Sequence, residues 1–503
     1  MNRFFLSMVY CLFLMMFSSM AISAREPQPE RTAWFVKHGY GVFVHYLNSI
    51  QNNPEHVASL GKSTSWDECV NEFNVELFAD RMKETGAGYV IFTVLQQQRY
   101  MIAPNETFNR FTGYQTGEAC ASRDLIEELY QALSQRGIDL MLYFTGDATM
   151  ADPQARAALG ISFPVQEDFV RKWASVAAEY GERYQDKIKG YWVDGSYDFI
   201  GYNDHLLGIF AEGLRAGYPE RIVAFNPGVK MQAYSVHEDY TAGEMESFEL
   251  LPPNGRFLDG EQWHILSFLG TSKGNIAASW GQPGTCKNIQ ELAEYVWHVN
   301  TLGGVVSIDV LLYRDGELDR SQLEVLKPLR QKIAALESIR HAWKEGQAVP
   351  KNNIAWKKPA TLKSNDGQRM LIPSVGEVHA ARCGNDGDRK TTAIGGGDWA
   401  WTYEVDLLEP ILLSQIVVHF GSGYATDLEL FAVCDQNKEI SLGRFTEQKG
   451  KSLDVKFEPK EYRWIRVRAY APNGPNQPGQ QMSVAEVEAY SSGDNETGMS
   501  RQH

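Results

Sequence analysis

The sequence predicts an α/β protein built as a (β/α)8 TIM-like barrel followed by an all-β jelly-roll sandwich domain. Two observations support this prediction. Between residues 34 and 340, eight short apolar runs alternate with helical patterns, and after His341 the helical patterns give way to short alternating strands. Continuous apolar runs are typical of strands buried on both faces of a parallel sheet, and eight such strands with helices between them can close a barrel.

The eight predicted strands are short and rich in Val, Ile, Tyr or Phe. They cover residues 41–45, 89–94, 138–144, 190–194, 221–226, a weaker run near 234–242, 264–269 and 304–309. Helices are predicted at 75–85, 122–136, 166–184, 204–216, 287–301 and 321–341, with capping serines at Ser122 and Ser321. A doubly wound open sheet is the alternative, but no Gly-x-Gly-x-x-Gly motif follows the first strand, which disfavours dinucleotide binding.

The C-terminal part has the pattern of an all-β sandwich. Strands are predicted at residues 401–406, 415–420, 428–434, 452–457, 464–469 and 483–490, with turn residues such as Asn473-Gly474-Pro475-Asn476 between them. We therefore divide the chain into a barrel over 25–342, a β-sandwich over 343–491 and a polar tail over 492–503 that we expect to be disordered.

The first 24 residues are typical of a secretory signal peptide. Arg3 precedes an apolar stretch over residues 4–17, and a region of small residues ends at a plausible cleavage point after Ala24. An uncleaved anchor is the alternative, although the apolar run is short for a bilayer. The five later cysteines are odd in number and widely spaced, so we expect packing cysteines rather than a disulfide framework. The predicted location is outside the cytoplasm, as a secreted protein.

Charge limits the classes of partner. The formal net charge is -15, which disfavours nucleic acid and anionic membrane surfaces because an acidic protein repels both. The aromatic content of 12% suits carbohydrate binding, since a sugar ring has an apolar C–H face, but aromatic side chains also simply fill large cores. We therefore expect no nucleic-acid partner and no membrane span.

Candidate catalytic residues follow from the barrel itself, because reactive groups in this fold lie at the carboxyl ends of the strands. Glycoside hydrolysis needs two carboxyl groups, one to attack or stabilise the anomeric carbon and one to protonate the departing oxygen. Asp194 ends the fourth strand, directly before Gly195, and suits the first role. An aspartate in an ordinary strand-end turn is the alternative. For the acid we prefer Glu244, with Glu246 and Glu261 in reserve.

Other polar and aromatic residues near the strands are candidate substrate-binding groups. His45 ends the first strand, and a buried core histidine is the alternative for it. The other candidates are Gln96, Gln97, Trp192, Asn226 and His264. No cluster has the spacing of zinc ligands and no phosphate loop is present, so we expect catalysis without a cofactor.

The barrel resembles family-29 glycoside hydrolases, the α-L-fucosidases, over roughly 300 residues. The resemblance rests on Lys37-His-Gly-Tyr-Gly-Val-Phe-Val-His45, Gly86-Ala-Gly-Tyr-Val-Ile-Phe-Thr93, Arg136-Gly-Ile-Asp-Leu-Met-Leu-Tyr143, Tyr191-Trp-Val-Asp194-Gly195 and Gly303-Gly304-Val-Val-Ser-Ile-Asp. It implies that Asp194 is the nucleophile of a retaining mechanism through a covalent glycosyl–enzyme intermediate. It does not choose among the glutamates.

Two departures bear on the sugar. Gln96 and Gln97 stand where the family has paired histidines that hold fucose hydroxyls, and Tyr46 stands where it usually has Trp. Glutamine donates and accepts hydrogen bonds but carries no charge. The resemblance therefore implies an exo-acting enzyme that releases fucose or a related deoxy or methylated sugar.

The C-terminal part resembles the discoidin, or F5/8 type C, group, which includes carbohydrate-binding modules. The resemblance rests on Asn353-Ile-Ala-Trp-Lys-Lys-Pro-Ala-Thr361, Asp386-Gly-Asp-Arg-Lys-Thr-Thr392 and Trp401-Thr-Tyr-Glu-Val-Asp406. It implies a structural calcium ion held near Asp386 and Asp388, whose oxygen ligands suit that ion.

Two further functions stay open at this point. The Gln96-Gln97 departure is compatible with a non-catalytic glycan-binding protein that has a degenerate barrel. An unrelated secreted hydrolase on the same barrel is the third hypothesis, because a fold does not determine a function.

Overall fold

The structure is a computed structural model. It describes residues 27–252, 255–272, 276–344, 353–364, 381–395, 401–421, 425–434, 438–446, 448, 450–470 and 482–491. The predicted signal peptide over 1–24 and the predicted tail over 492–503 lie outside the described residues.

The N-terminal part is a curled parallel sheet of seven strands that resembles a TIM-like barrel. Its strands, in the order of pairing, are β5 (Ile222–Phe225), β4 (Ile188–Asp194), β3 (Asp139–Thr145), β2 (Tyr89–Thr93), β1 (Tyr40–Val44), β9 (Val305–Val310) and β8 (His264–Phe268). All six pairings are parallel. Two two-residue strands, β6 (Phe257–Leu258) and β7 (Glu261–Gln262), form a small hairpin before β8. Seven of the eight predicted strands are therefore present.

The weak sixth strand is replaced by an irregular segment over residues 239–245 that bonds to both edges of the curled sheet. The Asp239 amide donates to the Val223 carbonyl of β5 (2.7 Å), and the Met245 amide donates to the Leu266 carbonyl of β8 (2.9 Å). Between them, the Thr241 hydroxyl donates to the His264 carbonyl, and Gly243 has a positive φ of 59°. The side-chain bond and the left-handed residue interrupt a regular ladder, which explains why this strand was the weakest in the sequence.

Helices flank the sheet on its outer side. They are α1 (Ala33–His38), α2 (Asn48–Gln51), α3 (Trp66–Asn71), α4 (Val75–Thr85), α5 (Glu106–Thr112), α6 (Leu125–Ser134), α7 (Pro153–Leu159), α8 (Glu167–Tyr184), α9 (Asp204–Leu214), α10 (Ile289–Thr301), α11 (Arg320–Leu326) and α12 (Leu329–Lys344). The predicted serine caps are wrong. Asp124 caps α6 and Asp319 caps α11, because each carboxylate accepts backbone N–H groups of the first turn.

Alternation along each strand divides the core into two layers. In β4, Tyr191 and Val193 point to the large cluster shared with the helices, whereas Trp192 points to the cluster inside the sheet. Phe35 of α1 belongs to the inner cluster and packs against Tyr89 with ring centroids 4.8 Å apart. Aromatic side chains therefore fill the interior at the amino end of the strands.

The C-terminal part is an all-antiparallel β region. Its strands are β10 (Ala360–Ser364), β11 (Ala393–Gly395), β12 (Trp401–Phe420), β13 (Leu428–Val433), β14 (Glu439–Phe445), β15 (Ser452–Ala469) and β16 (Met482–Tyr490). The predicted strands over 401–406 and 415–420 form one strand, β12, and those over 452–457 and 464–469 form β15. The two long strands pair with each other, with register shifts near residues 406–415. Strand β14 was missed because its side chains are mostly half-exposed and show no buried face. The jelly-roll connection stays a prediction.

Among the described residues, no helix combines the length and apolar character required to cross a bilayer.

Candidate active site

A cavity of about 190 Å³ opens at the carboxyl end of the parallel sheet. Its walls combine polar side chains with a broad apolar surface. The lining residues are Phe43, His45, Ile50, Gln96, Tyr143, Trp192, Asp194, Glu244, Leu266 and Trp280. Five of the candidate residues singled out in the sequence therefore meet in one place: His45, Gln96, Trp192, Asp194 and Glu244.

Asp194 is held by four hydrogen-bond donors at the end of β4. Its Oδ2 accepts from the Tyr143 hydroxyl (2.7 Å) and Gln96 Nε2 (3.4 Å), and its Oδ1 accepts from the Tyr197 hydroxyl (2.7 Å) and Asn226 Nδ2 (3.0 Å). Burial, followed by the charge of Asp194, raises the pKa of both tyrosines well above the usual range. Both phenols therefore stay protonated and act as donors.

The position of Asp194 follows from strand periodicity and from the glycine after it. Asp194 is two residues beyond Trp192 and so faces the same side of the strand, towards the interior. Gly195 has a φ of 62°, and a Cβ there would lie 2.7 Å from Asp147 and from Thr145. Glycine is therefore the residue that lets the chain turn directly after the carboxylate.

Glu244 is the second carboxyl group of the cavity. Its Oε2 accepts from Asn226 Nδ2 at 2.5 Å, so one amide group contacts both carboxylates. Because that nitrogen lies 3.0 Å from one oxygen and 2.5 Å from the other, the oxygens of Asp194 and Glu244 are at most about 5.5 Å apart. Burial, with a smaller contribution from the charge of Asp194, raises the pKa of Glu244 to about 7.

The backbone next to Glu244 is held by the neighbouring strand. A Cβ at Gly243 would lie 2.0 Å from the His264 carbonyl oxygen. Glycine at position 243 therefore lets the backbone lie close to β8, and this contact does not involve the cavity. It brings the following residue, Glu244, into a parallel bridge with Leu266 of β8.

Asn226 is itself fixed in orientation. The backbone N–H of Asn226 donates to the Val193 carbonyl of β4 (2.7 Å). The side-chain Oδ1 accepts from the backbone N–H of Gly228 (3.1 Å). Since the oxygen is engaged with the backbone, the NH₂ group points to the two carboxylates.

His45 is oriented by a buried carboxylate. Its Nδ1 lies 3.0 Å from Asp309 Oδ1, and the other oxygen of Asp309 accepts from the Gly281 amide (2.8 Å). With Nδ1 donating to Asp309, Nε2 is the nitrogen that can face a ligand. His45 and Glu244 both line the cavity.

An aromatic wall completes the cavity. Trp192 stacks on Tyr143 with ring centroids 5.5 Å apart and an interplanar angle of 20°, and its indole N–H donates to the Ala242 carbonyl (2.9 Å). Trp280 contributes a second indole, whose ring centroid lies 6.4 Å from that of His45. A wall of this kind suits the apolar face of a sugar ring.

The two glutamines that replace the expected histidines have separate partners. Gln96 lines the cavity and donates to Asp194, whereas Gln97 has a positive φ of 55° and donates to Asp147 Oδ2 at 3.2 Å. Tyr46, the other departure, is fully buried outside the cavity, and its hydroxyl lies within hydrogen-bonding distance of the Cys69 (2.9 Å) and Arg314 (3.1 Å) carbonyls, to one of which it donates. Only Gln96 therefore changes the cavity wall.

A family model described as alpha-L-fucosidase matches residues 21–331, which is more than half of the chain. The chain belongs to the alpha-L-fucosidase family. It is accordingly a glycoside hydrolase, whose substrates are glycans.

Similar solved structures include a family-29 fucosidase from Ruminococcus gnavus in complex with fucose. It is 12% identical, with a TM-score of 0.41, over 94% of this chain and 96% of that one. A family-107 endo-fucoidan hydrolase is 14% identical, with a TM-score of 0.46, over 69% and 67%. A chitosan-binding module from Paenibacillus sp. IK-5 is 19% identical, with a TM-score of 0.24, over 28% of this chain and 99% of its own. No curated protein sequence matches this chain.

Besides Gln97 and Asn226, three further candidate residues of this glycoside hydrolase are not part of the cavity lining. Glu246 is partly exposed and acts on Glu244 only through its charge. Glu261 is buried in the small hairpin and hydrogen-bonds Glu238, before β8 begins. His264 is buried at the amino end of β8, between the Thr241 carbonyl (2.9 Å) and the Ser307 hydroxyl (2.8 Å), and burial lowers its pKa to about 4. His264 is therefore a core histidine, and its prediction as a sugar ligand is corrected.

Sequence reasoning missed Tyr143, Tyr197 and Trp280. A signal was available for Tyr143, since it is in register with Trp192 of β4 and shares the interior face of β3 with Met141. Tyr197 and Trp280 lie on loops, where strand periodicity gives no information about direction.

Asp386 and Asp388 lie in a tight turn of the C-terminal region. The oxygens of Asp386 accept from the Asp388 amide and the Thr391 hydroxyl, both at 2.8 Å. Glu486 is nearby, and its pKa is raised to about 7 by burial and by the charges of Asp386 and Glu488. Within the described ranges, no three His, Cys, Asp or Glu side chains are arranged to hold a metal ion.

Proposed function

We propose that this enzyme is a retaining, exo-acting α-L-fucosidase-like glycosidase that releases fucose or a related deoxy or methylated sugar from glycans. The observation that carries this proposal is the amide of Asn226, which hydrogen-bonds both Asp194 and Glu244. It limits the separation of their nearest oxygens to about 5.5 Å. Retaining glycosidases have carboxyl groups about 5–5.5 Å apart, whereas inverting enzymes need about 6.5–9.5 Å to admit a water molecule.

Asp194 is the proposed nucleophile. The Tyr143 and Tyr197 hydroxyls and two side-chain amides all donate to its oxygens, and these four donors hold the carboxyl group in a fixed orientation. In the first step an oxygen of Asp194 forms a bond to the anomeric carbon, while the bond from that carbon to the leaving-group oxygen breaks.

Glu244 is the proposed general acid and base. With a pKa raised to about 7, it keeps a proton near neutral pH and can give it to the departing oxygen. Once Asp194 is esterified its negative charge is gone, and one of the causes that raise the pKa of Glu244 disappears. The glutamate then becomes a better carboxylate to remove a proton from the attacking water, which regenerates Asp194.

The cavity supports a single sugar unit as the group that is released. Its volume of about 190 Å³ is below the roughly 300–1,000 Å³ that larger ligands occupy. Phe43, Leu266 and Trp280 give the wall an apolar area that suits a methyl substituent, whereas His45 and Gln96 can bind hydroxyls. Gln96 next to the nucleophile is uncharged, whereas the resemblance implies a histidine at this position. We therefore include fucose analogues among the proposed substrates.

The test is sugar release by matched carboxyl variants. We expect Asp194→Asn and Glu244→Gln each to lower kcat/KM on fucosylated oligosaccharides by roughly 10³-fold or more, since a whole chemical role is removed. Glu246→Gln is the matched control, two residues along the chain and outside the cavity lining, and should retain activity. Proton NMR of the first sugar released should show the α-anomer. Release of the β-anomer would refute the retaining mechanism, and glycan binding without any release would support a binding protein.

The C-terminal region and the leader are part of the proposal. We propose a discoidin-like carbohydrate-binding domain with a calcium ion near Asp386 and Asp388. The buried Asn385 Oδ1 accepts no hydrogen bond from the described residues, and the Asp386 carboxylate is close enough to Glu486 for its charge to raise the pKa of Glu486. A cation at this place would be bound by the Asn385 oxygen and would offset the repulsion between the two carboxylates. Export by the first 24 residues would be tested by sequencing the amino terminus of the mature protein from the native cell.

A further inference from the structure

Most of the exposed large apolar side chains of the described residues lie in segments that follow strands of the parallel sheet at their carboxyl ends. Among the described residues, seven large apolar side chains are exposed. Six of them lie on loops that follow β1, β3, β4 or β5 at their carboxyl ends, and the seventh is Leu412 of β12. The six are Val57, Leu60, Phe163, Phe199, Val229 and Val236. Apolar groups that stay in water on one face of an enzyme indicate a surface for binding.

Phe199 is the most exposed of the six, at 77%. Its ring stacks on Tyr197, with centroids 4.9 Å apart and an interplanar angle of 13°. The hydroxyl of Tyr197 donates to Asp194 Oδ1 at 2.7 Å. The two parallel rings therefore connect the carboxylate in the cavity with the solvent, and Phe199 covers one face of Tyr197 while its own other face is open.

The turn that carries Phe199 is fixed by its neighbours. The Phe199 amide donates to Asp198 Oδ1 (2.7 Å), and the Val165 amide donates to the Ile200 carbonyl (2.8 Å). Gly201, with a φ of 107°, packs so closely on Pro164 that a Cβ would lie 2.6 Å from it. A ring held on such a turn is placed before a ligand arrives, so little conformational entropy is lost on binding.

We infer that Phe199 is a stacking platform for the sugar on the leaving-group side of the scissile bond. The inference rests on the proposed function, because that function makes Asp194 the nucleophile that attacks the anomeric carbon and Glu244 the acid that protonates the departing oxygen. The released sugar fills the cavity beside Asp194, and the next sugar of the glycan must lie outside it. There the free face of Phe199 presents the flat apolar surface that a pyranose C–H face binds. Phe199 would therefore favour substrates whose leaving group is a sugar over substrates whose leaving group has no ring.

The test compares two substrates that share the released sugar. In α-L-fucosyl fluoride the leaving group is a single atom, whereas in α-L-fucosylated lactose it is a disaccharide. We expect Phe199→Ala to lower the ratio of kcat/KM for the lactose derivative to kcat/KM for the fluoride by about tenfold. Phe199→Trp should restore the ratio, since it keeps an aromatic face. Leu412→Ala, which removes an exposed apolar side chain of the C-terminal region, is the matched control and should leave the ratio unchanged.

Several outcomes separate this inference from the proposed function. An equal fall on both substrates would mean that Phe199 only supports Tyr197 and Asp194, and an unchanged ratio would mean that the ring does not contact the leaving group. Both results overturn the inference. If the wild-type protein hydrolyses neither substrate, the proposed function fails, and calorimetry then decides about Phe199. A retained platform requires Phe199→Ala to weaken binding of fucosylated lactose about tenfold and to leave binding of free fucose unchanged. Equal affinities of the wild type and Phe199→Ala for fucosylated lactose would refute the inference.

Discussion

The amide of Asn226 allows a sharp prediction, because one side chain contacts both proposed catalytic carboxylates. The substitution Asn226→Ala removes the hydrogen bonds to Asp194 Oδ1 (3.0 Å) and Glu244 Oε2 (2.5 Å) and leaves the carboxyl groups in the chain. The consequences for the two carboxylates differ, since one is expected to act as a nucleophile and the other as an acid.

The magnitude follows from the hydrogen bonds. A hydrogen bond to a charged group contributes about 1.5–3 kcal/mol, so losing the bond to Asp194 should lower kcat/KM by roughly 10–100-fold. The bond from Asn226 also lowers the pKa of Glu244, which with that bond in place is still raised by burial to about 7. Without it the carboxylate loses a favourable partner, and the pKa of Glu244 should rise by about one unit, since 1.36 kcal/mol corresponds to one unit.

The assay is the pH dependence of kcat/KM for release of sugar from a fucosylated oligosaccharide. The basic limb reports the proton of the free enzyme's acid, so its midpoint should move from about pH 7 to higher pH in Asn226→Ala. Gln97→Ala is the matched control, since it removes an amide donor to Asp147 and leaves Asp194 and Glu244 untouched. A basic limb that stays in place or moves to lower pH would refute the assignment of Glu244 as the acid that Asn226 contacts.

Three further predictions concern stability. Burial raises the folded-state pKa of Glu244 from 4.5 to about 7, so its protonation favours the folded state below pH 4.5 and this contribution is lost as the pH rises to about 7. Between pH 4.5 and 7.5, urea unfolding should show the free energy of unfolding of the wild type falling by up to about 3 kcal/mol relative to that of Glu244→Gln. The same pH dependence in both proteins would contradict the burial of this carboxyl group. Arg314 is fully buried and donates to Glu72 (2.8 Å), so Arg314→Lys should lower the free energy of unfolding by about 2–4 kcal/mol; an unaltered midpoint would argue against this contact. Calcium alone should raise the melting temperature of the wild type and not that of Asp386→Asn, and equal shifts would place the ion elsewhere.

Much of the curled parallel sheet was predictable because its local signals agree with its tertiary structure. Strands β1 to β5, β8 and β9 appear in the sequence as continuous apolar runs, since a parallel sheet covered by helices buries both faces. Asp194 could be placed in the interior because it lies two residues beyond Trp192 on a strand. The segment over 239–245 could not be recognised as the irregular closure that it is, because its bonds to β8 are made through Thr241 and a left-handed Gly243.

The candidate site was only partly predictable, for a physical reason. Residues near a strand in the sequence can lie at either of its ends, and only the carboxyl end faces the cavity. Glu261 precedes β8 and His264 is its first residue, so both are buried at the amino end of the strand, whereas Glu244 lies beside Leu266 and reaches the cavity. A glutamate on a loop carries no periodic signal that could distinguish these positions.

The sequence by itself determined the alternation of strands and helices, the family, and the strand that ends in Asp194. These depend on local periodicity and on short motifs, which a chain carries without reference to its distant parts. The tertiary structure alone decided that Asn226 contacts both carboxylates, that Tyr143 and Tyr197 hold Asp194, and that Phe199 covers Tyr197 at the surface. Hydrogen bonds and ring stacking act over a few ångströms, and only the folded chain brings these side chains that close.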